Sequence, residues 1–196
     1  ANFAALGIDA GFDRTQVATI TFVADQANMG DTGTVAIEIK GMDFIPDTAG
    51  SAYVAANVST LPGSPVLAPP IGVNGGVITQ TRTGINNFSF TYTTNAANQF
   101  VFTQIADGYF QDSNNDFIPD EPRVFIGATM SLGTTLVLAA NGPNGKRLKV
   151  EVVDVTGKKA DYYLVLTGSK LNYSLDFTAA NFAALGIDAG FDRTQV

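Results

Sequence analysis

The sequence predicts an all-β fold, a jelly-roll-like β-sandwich of two antiparallel sheets. Composition is the first reason: 45% of the 196 residues are hydrophobic but only 15% are charged, which suits strands and turns better than exposed helices. The second reason is a series of short segments of alternating polar and apolar residues, separated by Gly, Asn and Asp. The length is sufficient for one domain with a substantial core, or for one domain and a linker.

The chain begins and ends with the same seventeen residues, ANFAALGIDAGFDRTQV, at positions 1–17 and 180–196. Position 180 repeats position 1, so a repeating parent chain would have a period of 179 residues. Old duplicates accumulate substitutions, and this pair has none. We therefore favour a tandem repeat of which the sequence covers one period and an overlap. The alternative is a strand appended to complete or exchange part of the fold.

The N-terminal part predicts two strands, VATITFV and GTVAIEIK, joined by a loop that contains Asp25, Gly30 and Asp31. The stretch from Met42 to Gly72 contains five prolines and has little periodicity, which is typical of an extended connector. Further short strands are expected beyond it, at GVITQTR, NNFSFTYTT, QFVFTQI, RVFIGAT and TTLVLAA.

The C-terminal part predicts an antiparallel hairpin, KRLKVEVVDVTGKKADYYLVLTG, because apolar residues alternate with polar ones before the DVTGKKAD turn. On the return strand, either Tyr163 with Val165 or Tyr162 with Leu164 and Leu166 face the core. LNYSLDF predicts another strand. The following TAANFAALG predicts a short helical turn, with Thr178 as N-cap and Gly186 as C-terminal stop.

A repeat of this period would divide the predicted domain between successive units. Residues 1–41 are then the closing strands of a preceding or neighbouring jelly roll, 42–72 are a proline-rich linker, and 73–196 form a sandwich that the next repeat or chain completes. Assembly would bury the apolar residues of the closing segments. These residues are Val17, Ile20, Phe22, Val35, Ile37, Ile39, Phe182 and Leu185.

Across the junction of the repeat, the sequence GKRLKVEVVDVTGKKADYYLVLTGSKLNYSLDFTAANFAALGIDAGFDRTQV continues into ATITFVAD and GDTGTVAIEIKGM. This order of strands, glycine turns and the Y.LD motif resembles the C-terminal half of galactose-binding-like jelly-roll domains, found among carbohydrate-binding modules. The resemblance implies a β-sandwich whose concave face or rim loops bind sugars, commonly with a structural calcium ion. The last strand of that family frequently carries paired Asp residues, whereas VAIEIKG offers only Glu38.

The loop DSNNDFIPDE is the strongest short motif. Asp112, Asn114, Asp116 and Asp120 stand at positions 1, 3, 5 and 9, a spacing that places hard oxygen ligands around Ca²⁺. It resembles the calcium loops of thrombospondin type 3 repeats, with Phe117 where those loops have glycine. The motif predicts a calcium site, and the alternative is a polar surface loop.

Composition excludes several kinds of chemistry. The chain has no His and no Cys, which rules out Ser-His-Asp and Cys-His catalysis and imidazole zinc sites. A net charge of −7 disfavours nucleic acid as a partner. No apolar run reaches the roughly 20 residues of a membrane-spanning helix, so membrane insertion is not expected. No pair of carboxylates stands out as catalytic, and we do not expect an enzyme.

Tyr109, Tyr162 and Tyr163 are weak candidates for stacking on a sugar ring. The interpretation we favour is that they pack in the core. Asp25 and Asp31 are candidates for a second ion, although Asp, Asn and Gly are ordinary hairpin residues.

Two function classes fit these observations. The first is a structural repeat unit of an extracellular filament, sheath or adhesin, in which donor strands join identical units of one chain or of a homopolymer. The alternative is a carbohydrate-binding module of a secreted multidomain protein, with a polysaccharide as partner. Both lead us to expect an extracellular or cell-surface location, with which the lack of Cys is compatible.

Overall fold

The computed structural model describes residues 3–42, 65–106, 108–111, 113 and 124–178. Within these residues the chain forms fourteen strands and one short helix. The first part contains β1 (Phe3–Ile8), β2 (Val17–Asp25), α1 (Gln26–Met29) and β3 (Thr32–Ile39). The middle part contains β4 (Val66–Leu67), β5 (Ile71–Val73), β6 (Val77–Arg82), β7 (Asn87–Thr93), β8 (Phe100–Ala106), β9 (Gly108–Phe110) and β10 (Phe125–Gly127). The last part contains β11 (Thr135–Asn141), β12 (Arg147–Asp154), β13 (Lys159–Val165) and β14 (Leu171–Asp176).

Two antiparallel sheets enclose one core, which confirms the predicted all-β sandwich. Among the described strands, sheet A has the order β1-β13-β12-β2-β8-β4, with β5 also pairing with β8, and sheet B has the order β14-β11-β3-β7-β6. The strands β9 and β10 form a separate pair. The connections from β2 to β3, β7 to β8, β11 to β12 and β13 to β14 each pass from one sheet to the other.

Alternating apolar side chains from both sheets fill the core. Leu148 and Val150 of β12 are fully buried, and burial of each such side chain stabilises the fold by about 1.5–3 kcal/mol. Phe22 of β2 packs edge-on against Phe88 of β7 across the sandwich, with ring centroids 5.4 Å apart. The Tyr92 hydroxyl, also buried, donates to a backbone carbonyl at 2.8 Å. The period-2 pattern of the sequence therefore sets which faces meet.

The β12–β13 hairpin forms as predicted. Val150 lies opposite Tyr162 and Leu148 lies opposite Leu164, so the apolar residues of both strands share the core face. At the turn, the Gly157 amide donates to the Asp154 carbonyl at 2.9 Å. Gly157 has a φ of +81°, a conformation that glycine adopts without steric cost.

The N-terminal occurrence of the duplicated sequence differs from the helical turn that was expected of the second occurrence. The segment NFAALG was expected to form a helical turn after Thr178, but in its N-terminal occurrence Phe3–Ile8 is a strand. A short run of Ala, Leu and Phe has no periodicity that separates helix from strand, and pairing with β13 satisfies its backbone groups. Residues from 179 onward lie outside the described residues.

The strands of residues 1–41 lie inside the two sheets of this same chain. β2 lies between β12 and β8, and β3 lies between β11 and β7. The sequence assigned these strands to a neighbouring domain, whereas in the single chain they close the sandwich formed by the later strands. A longer array would need the same strands in the same positions, and its arrangement stays a prediction.

Part of the predicted proline-rich linker belongs to the sandwich. Within the stretch 42–72, β4 and the start of β5 pair with β8, and Leu67 and Ala68 are buried. Pro69 and Pro70 stand between these two strands, where they interrupt no ladder of hydrogen bonds. Residues 43–64 of the predicted linker lie outside the described residues.

Candidate docking site for the duplicated segment

The first copy of the duplicated sequence, residues 1–17, contributes β1, the outermost of the described strands of sheet A, and the loop that follows it. We call these residues the docking segment. Its strand β1 pairs antiparallel with β13, with Ala5 opposite Tyr162 and Ile8 opposite Ala160. The register shifts between Ala5 and Gly7. Pairing with β1 satisfies backbone groups of β13 that would otherwise form an open sheet edge.

The loop of the docking segment contacts the turn between β12 and β13, residues 154–159. The Asp9 amide donates to the Lys159 carbonyl at 2.9 Å, and the Lys159 amide donates to the Asp9 carboxylate at 2.9 Å. The Val155 amide donates to the Gln16 carbonyl at 3.0 Å. Asp9 and Lys159 are 150 residues apart in sequence, so this contact joins the first described residues to the β12–β13 hairpin.

Asp154, the last residue of β12, uses both carboxylate oxygens in this contact. The residue is fully buried. Its Oδ1 accepts from the Thr156 amide at 2.8 Å, from the Thr156 hydroxyl at 2.7 Å and from the Lys158 amide at 3.1 Å. Its Oδ2 accepts from the Asp13 amide at 2.9 Å. One oxygen therefore shapes the turn, and the other holds the docking segment.

A local turn in the docking segment presents the Asp13 amide to Asp154. Asp13 Oδ1 accepts from the Thr15 hydroxyl at 2.7 Å and from the Thr15 amide at 2.9 Å. The hydrogen bond from the Thr15 hydroxyl has the largest effect and that from the Thr15 amide the next largest, and both lower the pKa of Asp13. The Asp13 carboxylate therefore stays ionised at neutral pH and keeps the turn in place.

Apolar contacts complete the docking. Ile8 and Phe12 pack against the core, and the ring centroids of Phe12 and Phe177 are 5.8 Å apart. At the end of the segment, Val17 and Met130 exchange two backbone hydrogen bonds of 2.9 and 2.8 Å. The docking segment thus combines an edge strand, apolar anchors and a polar loop.

The second copy, residues 180–196, lies outside the described residues, but its sequence repeats every group that the docking segment uses. Its residues Ile187, Asp188, Phe191, Asp192 and Gln195 correspond to Ile8, Asp9, Phe12, Asp13 and Gln16. A segment with these residues has the groups that an equivalent β12–β13 turn binds.

The predicted assembly residues in the described strands are buried in this chain. Val17, Ile20, Phe22, Val35, Ile37 and Ile39 all belong to the core, whereas Phe182 and Leu185 lie outside the described residues. Because the six core residues are already covered, assembly through them requires an exchange of identical segments and not a new apolar face.

A cluster of charged side chains borders the docking segment on β12 and β13. The Lys149 ammonium lies 2.8 Å from Glu151 and 3.3 Å from Asp161, and the Lys159 ammonium lies 3.1 Å from Glu151. Burial, and then the neighbouring Glu151 charge, raises the pKa of Asp161 to about 6. Asp161 lies opposite Gly7 of β1, so a titrating carboxyl stands at the edge where the segment docks.

Two of the three candidate sugar-stacking residues are buried. Tyr162 is 1% exposed and Tyr163 is 5% exposed. The Tyr162 hydroxyl donates to the Asp176 carbonyl at 2.8 Å, and the Arg147 guanidinium carbon lies 4.2 Å from the centroid of the Tyr163 ring. Stacking on a sugar needs an open ring face, so the burial of these two residues favours the packing alternative. Tyr109 lies in β9, opposite Ile126.

The four candidate calcium ligands, Asp112, Asn114, Asp116 and Asp120, lie outside the described residues, and the calcium site stays a prediction. The described part of the chain contains no group of three acidic, His or Cys side chains that could hold a metal ion.

The acidic loop between β2 and β3 has a structural role in the described contacts. Asp25 accepts from the Asn28 amide at 2.9 Å and caps α1. Asp31 accepts from the Gln26 side chain at 3.2 Å. These contacts match the reading of both acids as ordinary hairpin residues.

The described fold is an all-β sandwich with a duplicated segment docked at one edge. Comparison with protein-family models, curated proteins and solved structures found no match. Across the described residues, no helix has the length and hydrophobicity needed to cross a membrane. The sequence did not indicate Asp9 and Asp154 as docking residues, because DVTG predicts a turn but not what the turn binds. The repetition of Asp9 in the second copy was the available signal.

Proposed function

We propose that this chain is a structural repeat unit of an extracellular filament, sheath or adhesin, and that β-strand complementation joins successive units. One observation carries the proposal: the first copy of a duplicated segment is an edge strand with a docking site of its own. The second copy has the same groups and therefore fits the docking site of another unit. Units joined in this way are held by backbone pairing in a head-to-tail chain.

The two copies compete for one docking site in each unit. The first copy continues directly into β2 at Val17, and such a short tether gives it a high effective concentration. A second copy from another chain makes the same contacts, but its concentration at the docking site is only that of the protein in solution. The unit's own copy therefore dominates in dilute protein. High subunit concentration favours exchange, because it raises the rate at which a second copy meets the docking site of another chain.

A disulfide trap tests the proposal, because the chain has no cysteine of its own. Ala160 lies opposite Ile8 of the first copy, and Ile187 is the equivalent of Ile8 in the second copy. The double variant Ala160→Cys, Ile187→Cys is oxidised and separated on a non-reducing denaturing gel. We expect a ladder of covalent oligomers, since paired residues on adjacent strands are close enough for a disulfide.

The matched control is Ala160→Cys, Ile8→Cys, which locks the unit's own copy in place and is expected to give only monomer. Two results of the test variant would contradict complementation between units. One is a disulfide confined to single chains, which would mean that the second copy returns to its own unit. The other is the absence of any disulfide between positions 160 and 187 at high protein concentration.

Calcium is a separate part of the proposal, since Asp112, Asn114, Asp116 and Asp120 have the spacing of a calcium loop. Electron microscopy of the oligomers with and without a calcium chelator tests it. Loss of regular filaments in chelator, restored by added Ca²⁺, is expected if the ion orders this loop in the assembly. Filaments that are unaffected by chelator would remove the ion from the assembly mechanism.

A further inference from the structure

The strand of the docking segment carries little information that would select it over other strands. β1 pairs through its backbone, and its sequence FAALGI is apolar throughout. The loop after β1 differs, because two of its contacts join a carboxylate to a backbone amide across the interface. The Lys159 amide donates to the Asp9 carboxylate, and the Asp13 amide donates to the Asp154 carboxylate.

We propose that Asp9 and Asp154 form a reciprocal carboxylate lock that makes the β12–β13 turn selective for this segment. The partner that the lock selects in assembly is residues 180–196 of a second copy of this chain, with Asp188 in the place of Asp9. This inference rests on the proposed function and identifies the residues that determine its specificity.

Selection by this lock comes mainly from the cost of a mismatch. A segment without a carboxylate at the Asp9 position leaves the Lys159 amide without this acceptor. A segment whose backbone does not present an amide at the Asp13 position leaves Oδ2 of the buried Asp154 carboxylate unpaired. An unsatisfied buried group, above all a charged one, costs more than a correct hydrogen bond gains. Wrong strands are thereby rejected while the correct segment is held.

The spacing between Asp9 and Asp13 defines the motif that the turn recognises. The Phe12 amide donates to the Asp9 carbonyl at 3.0 Å, which closes a tight turn, and Gly11 within it has a φ of +80°. A Cβ at Gly11 would lie 2.5 Å from the Lys158 ammonium, which ends a flexible side chain and can move aside, so the backbone conformation is what favours glycine. The recognised motif is therefore D-x-G-x-D, present at residues 9–13 and again at 188–192.

The same substitution in the two copies should act in opposite directions. In the Ala160→Cys, Ile187→Cys background, Asp188→Ala weakens the incoming segment, and we expect intermolecular cross-linking to slow by roughly 10- to 100-fold. Asp9→Ala weakens the unit's own segment instead, which frees the docking site, so cross-linking should accelerate by about tenfold or more. The control is Gln195→Ala, because its counterpart Gln16 contributes only a backbone carbonyl to the contact and has an exposed side chain.

The outcomes separate the lock from the proposed function. If the parent pair cross-links between chains but neither Asp188→Ala nor Asp9→Ala alters the rate, the lock is wrong and complementation stands. If the parent pair does not cross-link, complementation is wrong. The lock is then tested within one chain by hydrogen exchange: Asp9→Ala should accelerate exchange of the Lys159 amide by at least about tenfold. An unchanged Lys159 exchange rate would overturn it.

Discussion

Asp25 and Asp154 both stand at the end of a strand, and their carboxylates both accept backbone amides, yet they organise the chain on different scales. Asp25 is half-buried and accepts from the Asn28 amide, three residues away. Asp154 is fully buried and accepts from its own turn and from the Asp13 amide, 141 residues away. The first carboxylate completes a local cap, and the second joins a turn to a distant segment.

The difference shows how an ordinary turn acquires a second role. The Asp25 cap has its main partner within α1, so it forms whatever occupies the edge of sheet A. The Asp154 turn leaves Oδ2 for a group that only a docked segment provides. Loss of the segment would therefore leave a buried carboxylate oxygen without this donor, so the turn and its occupant stabilise each other.

The largest effect expected from this comparison is that of Asp154→Ala. The substitution removes the acceptor for the amides of Thr156, Lys158 and Asp13, and each unsatisfied group costs about 1–3 kcal/mol. We expect the free energy of unfolding in urea at pH 7 to fall by roughly 3–5 kcal/mol. Hydrogen exchange should be fastest at residues 154–159 and 9–16.

Asp154→Asn is the matched variant, because it keeps one oxygen acceptor and the shape of the side chain. It should cost less than Asp154→Ala and should lower protection on either the turn or the docking segment, depending on where the amide oxygen points. Equal stability of the wild type and Asp154→Ala would contradict the role assigned to this carboxylate.

The charged cluster beside the docking segment gives the second prediction, a pH dependence. The pKa of Asp161 is raised to about 6, above an unfolded value of about 3.9. Its stabilising contribution is therefore fully present below about pH 4 and is lost as pH rises through about 6. Although burial opposes ionisation of Glu151, Lys149 and Lys159 outweigh burial and lower its pKa. Glu151 therefore loses its contribution only under more acidic conditions.

Urea unfolding of the wild type and Asp161→Asn at pH 5 and pH 8 measures this contribution. The wild type should lose about 1–2 kcal/mol relative to the variant between these two values, since the neutral amide cannot ionise. The difference between the two proteins removes the titration of other acids from the comparison. The raised pKa would be contradicted if the difference in free energy of unfolding between the two proteins were the same at pH 5 and pH 8. It would also be contradicted if the variant lost more stability than the wild type from pH 5 to pH 8.

Local patterns predicted the sandwich well because apolar and polar residues alternate along its strands. In the β12–β13 hairpin, the core-facing positions of β12 could be identified from the sequence. For β13 the sequence left two alternations open, and the observed register selects the one with Tyr162 and Leu164 on the core face. Prediction was poorer where pattern carries no information. Phe3–Ile8 is a strand because β13 offers it an edge, and β4 and β5 form for the same reason beside β8, despite the prolines around them.

The docking site could be predicted only in part. The identity of the two copies predicted a role of the segment in assembly, which stays a prediction. The apolar residues of β2 and β3 that were expected to become buried between units are in the core of this chain. The partner of Asp154 could not be identified, because no local pattern relates DVTG to a loop 141 residues away. A contact between distant backbone groups depends on the arrangement of the sheets, which single-sequence patterns do not specify.

The smallest effect belongs to Asp25→Ala, which completes the comparison. Loss of an N-cap carboxylate costs about 1 kcal/mol, and the affected groups are confined to the loop between β2 and β3. The Asn28 side chain also donates to the Tyr163 hydroxyl at 3.1 Å, so this loop keeps one hydrogen bond to β13 after the substitution. We expect a loss of about 1 kcal/mol in urea unfolding, with hydrogen exchange unchanged in the docking segment. If Asp25→Ala instead accelerated hydrogen exchange at residues 9–16, as is expected of Asp154→Ala, the effects of the two carboxylates would extend equally far. The coupling assigned to Asp154 would then be a property of sheet A as a whole.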